Sequence, residues 1–125
     1  MIAGIGTDLC RIDRMEKSLS SPAFCRNIFS AEEWAHLETL GEKRRLESAA
    51  AAFAAKEAFL KALGLGLGGL AFGDICVLHE ESGRPYFAPR GKAKDLLCER
   101  GLTAHLSLTH ENGLALAFVL LERAD

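Results

Sequence analysis

Residues 1–9 alternate in character. Ile2, Gly4, Gly6 and Asp8 fall on one side and Ala3, Ile5, Thr7 and Leu9 on the other, which predicts a first strand. A short helix is expected over 12–20, stopped near Ser21-Pro22. Ser30 followed by Glu33 is a capping-box pair and predicts a helix through about Leu40, closed by Gly41. The longest helix is predicted over 43–63, rich in alanine and stopped by Gly64, Gly66, Gly68 and Gly69. A strand over 72–79, a turn at Ser82-Gly83 and a short strand over 85–88 follow. A helix over 92–99 is closed by Gly101, and strands over 102–111 and 114–122 flank Asn112-Gly113, a strong two-residue hairpin signal. This order predicts an α+β fold, with a mostly antiparallel sheet packed against a long helix, in one domain spanning 1–125.

Two of these elements carry surplus apolar surface. The last strand is apolar on both faces over 114–121. The long helix is apolar almost all round, with Phe59 and Leu63 away from its main stripe. Association with other copies would cover this surface, and so would the chain's own helices; the pattern leaves both open. At 49% hydrophobic and 26% charged residues the chain has the composition of a folded domain. No apolar run approaches the roughly 20 residues of a membrane helix. The first residues lack the basic start, apolar core and cleavage site of an export signal, so a cytoplasmic protein is expected. A net charge of -2 argues against a general nucleic-acid binder. Cys10, Cys25, Cys76 and Cys98 form no Cys-x-x-Cys pair; four reduced, mostly buried thiols are expected.

Within this frame a few residues look chemical. On the long helix, Leu46, Ala50, Phe53, Glu57, Leu60 and Gly64 share one stripe, so Glu57 sits in apolar company. A buried carboxylate needs a cation, a metal or a hydrogen-bond network. Lys61, one turn on, offers the simplest answer, a Glu57–Lys61 pair along the helix. Asp8 ends the first strand, and Gly4 and Gly6 on its face leave open space for a metal or a close ligand; a strand-end cap is the plainer alternative. Asp8 and Glu57 together would offer two hard oxygen ligands of the kind magnesium takes. The glycine run over 64–69 is either a helix cap or a backbone cradle for phosphate, although it lacks the strand–loop–helix order of a P-loop. Lys43-Arg44-Arg45 is either a solvated run or a polyphosphate clamp. Arg11, Arg14 and Lys17 give the first helix a basic side. Ser107, Thr109 and His110 lie at a strand end, and no Gly-x-Ser-x-Gly elbow supports a hydrolase. His36 and His79 fit no pattern.

Taken in order, these pieces resemble the holo-[acyl-carrier-protein] synthase family of single-repeat 4'-phosphopantetheinyl transferases. The residues that carry the resemblance are Gly4-Ile5-Gly6-Thr7-Asp8, Phe53-Ala54-Ala55-Lys56-Glu57-Ala58 with Lys61, the glycine turn, Phe72-Gly73-Asp74-Ile75, Gly83-Arg84-Pro85 and Ser107-Leu108-Thr109-His110. The resemblance implies transfer of phosphopantetheine from coenzyme A to a serine of acyl carrier protein, in fatty acid biosynthesis. It implies a homotrimer with active sites at subunit interfaces. Asp8 and Glu57 match the family's magnesium acids, and Lys61 its pyrophosphate lysine. Lys43, Arg44, Gly64, Gly66, Ser107, Thr109 and His110 fall where the family binds phosphates and nucleotide. Arg14 and Arg26 fall where it meets the acidic carrier. The chain departs from the family pattern twice: Ala52 stands for an arginine and Leu65 for a threonine, and Arg44 or Arg45 is expected to compensate for the first. The base for the serine proton stays open between Glu57, Asp8 and a metal-bound water. The alternative reading is a non-catalytic α+β module that binds a nucleotide or a carrier.

Overall fold

Glycines at positions 4 and 6 let the first strand lie directly on the long helix. In the computed structural model, which describes residues 1–124, strand β1 (Ile2–Arg11) crosses helix α4 (Glu42–Ala62). A Cβ at Gly4 would collide with the carbonyl oxygen of Ala62, and one at Gly6 with that of Ala58. Ala49–Ala52, Ala54, Ala55, Ala58 and Ala62 of α4 are all buried. Small side chains on one partner and none on the other give a backbone-to-backbone approach. The space over Gly4 and Gly6 is therefore filled by the helix, which corrects the expectation that these glycines leave open room on that face.

Strands β1, β5 (Leu114–Arg123) and β4 (Leu102–Glu111) form one antiparallel sheet in the order β1-β5-β4. Ala115, Ala117, Val119 and Leu121 of β5 face inward with Cys10 of β1, and all are buried. Asn112 and Gly113, both at positive φ (52° and 74°), close the β4–β5 hairpin as their sequence predicts. A second, two-stranded sheet pairs β2 (Val77–His79) with β3 (Pro85–Phe87). Helix α5 (Gly91–Arg100) ends in left-handed Gly101.

Three expectations change. Ser21-Pro22 ends α1 (Asp13–Ser18) but also opens a helix not foreseen, α2 (Pro22–Ile28): the Ser21 hydroxyl accepts from the Phe24 N–H and proline takes the first helical position. The expected strand over 72–79 is a 3-10 turn (Phe72–Asp74) followed by only three residues of β2, because the carbonyls of Phe72 and Ile75 turn aside to meet the Lys56 ammonium. All four cysteines are free, but only Cys10 and Cys76 are buried; Cys25 is partly so and Cys98 is exposed. Helix α3 (Ala31–Glu38) has the full capping box between Ser30 and Glu33.

Candidate active site

The crossing of β1 over α4 sets the first part of the site. Asp8 points inward from within β1, which runs on to Arg11 and so corrects the expectation that Asp8 ends the strand, and Lys61 rises from the last turn of α4. The Lys61 Nζ donates to Asp8 Oδ1 and to the Thr7 carbonyl, each at 3.0 Å. The expected Glu57–Lys61 pair gives way to this Lys61–Asp8 pair: the lysine spans from helix to strand. Glu57 is half-buried one turn below. Burial pushes its carboxyl up, the Asp8 charge pushes it further, and Lys61 and Arg14 pull it back. Arg14, on α1, thus belongs electrostatically to the acid cluster. Among the described residues no group of three or more His, Cys, Asp or Glu side chains gathers around a point. The cluster is two carboxylates and a lysine, with an arginine nearby.

At the C-terminus of α4, Gly64 adopts a left-handed φ of 75°. The Leu65 N–H bonds to the Leu60 carbonyl and the Gly64 N–H to that of Lys61. This is a glycine helix cap, and it fixes the turn that carries Lys61. Gly66 follows, exposed.

A second feature lies toward the other end of α4. A cleft of about 450 Å³ opens between α3, α4, β4 and the β2–β3 hairpin. Arg44, Thr109 and His110 line it; Lys43 and Ser107 do not. Ser107 stands opposite Phe118 in the register of the sheet and is exposed. Arg45 is occupied elsewhere, donating to the Leu37, Glu38 and Leu40 carbonyls and so capping α3. Of the two candidates to compensate for Ala52, only Arg44 faces the cleft, whose wall Ala52 also forms. His110 Nδ1 lies 3.7 Å from Glu47 Oε2.

His36 and His79, which fit no sequence pattern, meet in this wall as stacked rings 5.1 Å apart. Burial and the neighbouring His36 lower the pKa of His79, while Glu33 opposes them. No local signal predicts the pair, because one ring comes from α3 and the other from β2. Arg44 and Glu57 lie about 20 Å apart along α4 at 1.5 Å per residue. One chain therefore brings together Asp8, Glu57, Lys61 and Arg14, and Arg44, Thr109 and His110 in the cleft; Thr109 shares its sheet partner Leu116 with Leu9, about two strand spacings or roughly 10 Å from β1, and Arg44 marks the far end. Arg26, on α2, is exposed.

The family model of the 4'-phosphopantetheinyl transferase superfamily matches residues 4–119. The chain is 43% identical over 125 residues to the holo-[acyl-carrier-protein] synthase of Treponema denticola, covering 98% of this chain and 99% of the relative. It is 41% identical to that of Exiguobacterium sibiricum, covering 98% and 91%. Among solved structures, holo-(acyl-carrier-protein) synthase from Bacillus anthracis in complex with CoA (3',5'-ADP) superposes with a TM-score of 0.84 at 34% identity, over 99% of both chains. The holo-[acyl-carrier-protein] synthase from Neisseria meningitidis superposes with 0.87 at 36% identity, over 98% of this chain and 100% of that one.

Proposed function

The chain belongs to the 4'-phosphopantetheinyl transferase superfamily, and on that premise we propose that it transfers the 4'-phosphopantetheine group from coenzyme A to a serine of apo acyl carrier protein, releasing adenosine 3',5'-bisphosphate. The observation that carries this reading is the meeting of Asp8, Glu57 and Lys61 where β1 crosses α4, in a chain alike over 98% of its length to holo-[acyl-carrier-protein] synthases. The solved relative named as a complex with CoA (3',5'-ADP) supports coenzyme A as the substrate.

The serine oxygen attacks the β-phosphorus of coenzyme A, the bond from that phosphorus to the bridging oxygen breaks, and the bisphosphate takes the electron pair. Such a transfer depends on alignment and on neutralising charge. Asp8 and Glu57 suit magnesium: both offer hard oxygen donors, and the charge that pushes the Glu57 carboxyl up is one a divalent cation would offset. Bound there, magnesium would act as a Lewis acid on pyrophosphate oxygens. Lys61 has two of its three N–H groups engaged. The third is available to a phosphate oxygen of the leaving group. The proton of the serine passes to a carboxylate of the pair or to a water beside it. Gly64 and Gly66 shape the turn next to Lys61, and Arg44, Thr109 and His110, with Lys43 and Ser107 near them, receive the nucleotide and its phosphates.

Arg14, beside the acids, and Arg26 on α2 dock the acidic carrier and bring its serine to Glu57. Residues 1–125 act as one catalytic domain, in the cytoplasm and in the service of fatty acid biosynthesis. The working form is a homotrimer. The outer sheet face supports this: Ile5 and Leu9 are 61% and 59% exposed, and Phe118 beside them 37%.

The test is the intact mass of an apo acyl carrier protein incubated with this protein and coenzyme A, with and without magnesium. A gain of one phosphopantetheine group only with magnesium is expected. No gain, on a carrier that a known transferase does modify, would overturn the reading in favour of a binding module.

A further inference from the structure

Lys56 is the one lysine described here whose side chain is fully buried (0% exposed), and neither the acid cluster nor the cleft uses its charge directly. Its ammonium is saturated. It donates to Glu33 Oε1 at 2.7 Å, to the Phe72 carbonyl at 2.9 Å and to the Ile75 carbonyl at 3.0 Å. Glu33 is saturated in turn. Its Oε1 also accepts from the Ser30 N–H at the start of α3, and its Oε2 from the Val77 N–H at the start of β2. One buried point thus ties together α3, α4, the 3-10 turn and β2.

Three of these, α3, α4 and β2, build the back of the cleft. His36 lies one turn after Glu33 on α3, Ala52 one turn before Lys56 on α4, and Val77 and His79 are on β2; all four line the cleft. Glu33 also borders, with these same four residues, a void of about 20 Å³, so its carboxylate reaches the inner side of that wall. The acid cluster is held differently. Glu57 follows Lys56 in sequence, but its end of α4 is fixed by the close approach of Gly4 and Gly6 to Ala62 and Ala58. A buried ion pair is poor value as a stabiliser, since apolar side chains of equal volume often serve as well. What it supplies here is geometry, through five hydrogen bonds that fix four segments relative to one another.

We propose that the Lys56–Glu33 pair is a positioning element for the nucleotide cleft: it holds the back wall in place and sets the affinity for the adenosine bisphosphate end of coenzyme A, without taking part in the chemistry at Asp8 and Glu57. The inference rests on the reading that this chain is a transferase using coenzyme A.

The test uses the full chain and two variants. Lys56→Met with Glu33→Gln removes both charges together and leaves no buried ion unpaired. Glu33→Gln alone keeps an amide oxygen for Lys56 but turns an NH2 toward the Val77 N–H, and so loosens β2 while leaving the buried ammonium without its counter-charge. Calorimetry reads the Kd for adenosine 3',5'-bisphosphate, steady-state assays read KM for coenzyme A and kcat, and thermal melts establish that each variant is folded at the assay temperature. In both variants Kd and KM are expected to rise about tenfold while kcat stays within about twofold of wild type, the pattern of a displaced binding wall. Unchanged Kd and KM in a folded variant would make the pair purely structural and overturn the proposal. A fall in kcat with KM unchanged would place Lys56 in the chemistry and overturn it equally. A wild-type protein that neither binds the bisphosphate nor transfers would overturn the functional reading, and this inference with it; wild-type activity with indifferent variants would overturn this inference alone.

Discussion

Glu57 carries a carboxyl whose surroundings disfavour its ionised form. Burial contributes most and Asp8 next, against Lys61 and Arg14. Its value in the fold lies above the ordinary 4.5. For an acid raised in this way, the contribution to stability is present below the ordinary value and is lost as pH rises through the raised one. At neutral pH an ionised Glu57 therefore weakens the fold, and a cation bound by the pair would restore what is lost. Glu57→Gln is expected to melt above wild type at pH 7 without magnesium, with the difference closing toward pH 4, where wild type carries the proton itself. Its kcat/KM is expected to fall by about 10²–10³-fold, since an interaction with developing charge is removed. Circular-dichroism melts across pH and the carrier mass assay read the two effects. A variant that lost stability as well as activity would show that the carboxylate holds the fold together. The acid in apolar company is visible in the sequence, because an apolar stripe broken by one glutamate is a local pattern. The choice of Asp8 over Glu57 as the partner of Lys61 is not. It depends on how β1 crosses the helix, which spacing along α4 does not encode.

At the scale of elements, the β1–α4 crossing is the feature on which the acid cluster depends. Gly6→Ala places a methyl against the Ala58 carbonyl, with the Ala62 N–H 2.8 Å away, and neither backbone group can move without shifting α4. The expected cost is about 1–3 kcal/mol in urea unfolding, as for overpacking elsewhere, accompanied by loss of transfer activity as Asp8 moves off Lys61. Gly73→Ala is the control: no atom lies within 4 Å of its Cβ, and it should change stability by less than about 0.5 kcal/mol. An equal effect from the two would refute the close-approach account. The regular elements with strong local signals, such as α4, the capped α3 and the Asn112-Gly113 hairpin, are legible in the sequence. Helix α2 is not, because Ser21-Pro22 is as good an opening as a stop, and Phe24 meets its partners Phe29 and Phe53 only in the folded core. The segment from Phe72 reads as a strand by its apolar run. Its true course follows from Lys56, which lies remote in sequence and claims two of its carbonyls.

For the whole molecule the length of the site matters most. Helix α4 holds the acids near one end and the cationic end of the cleft near the other, with Arg44 about 20 Å from Glu57 by helical rise and the near edge of the cleft at Ala52 about 8 Å away. Coenzyme A must meet both groups at once if the proposed reaction is right. The exposed Ile5, Leu9 and Phe118 give the sheet a face on which a second copy can sit. In a closed cyclic assembly each site would then take its acids from one chain and its cleft from the next. Complementation tests this directly. Glu57→Gln lacks the acid half and Arg44→Ala a cationic part of the cleft half, and each variant alone is expected to be severely impaired. When the two are refolded together in equal amounts, about a quarter of the sites in a randomly mixed ring would combine an intact acid half with an intact cleft half. Activity in the carrier mass assay should recover to about that fraction of wild type, and sedimentation should give the mass of three chains. Were every site built within one chain, no mixture could contain an intact one. The mixed sample would stay at the mean of its two components, and the surplus apolar face would need another explanation.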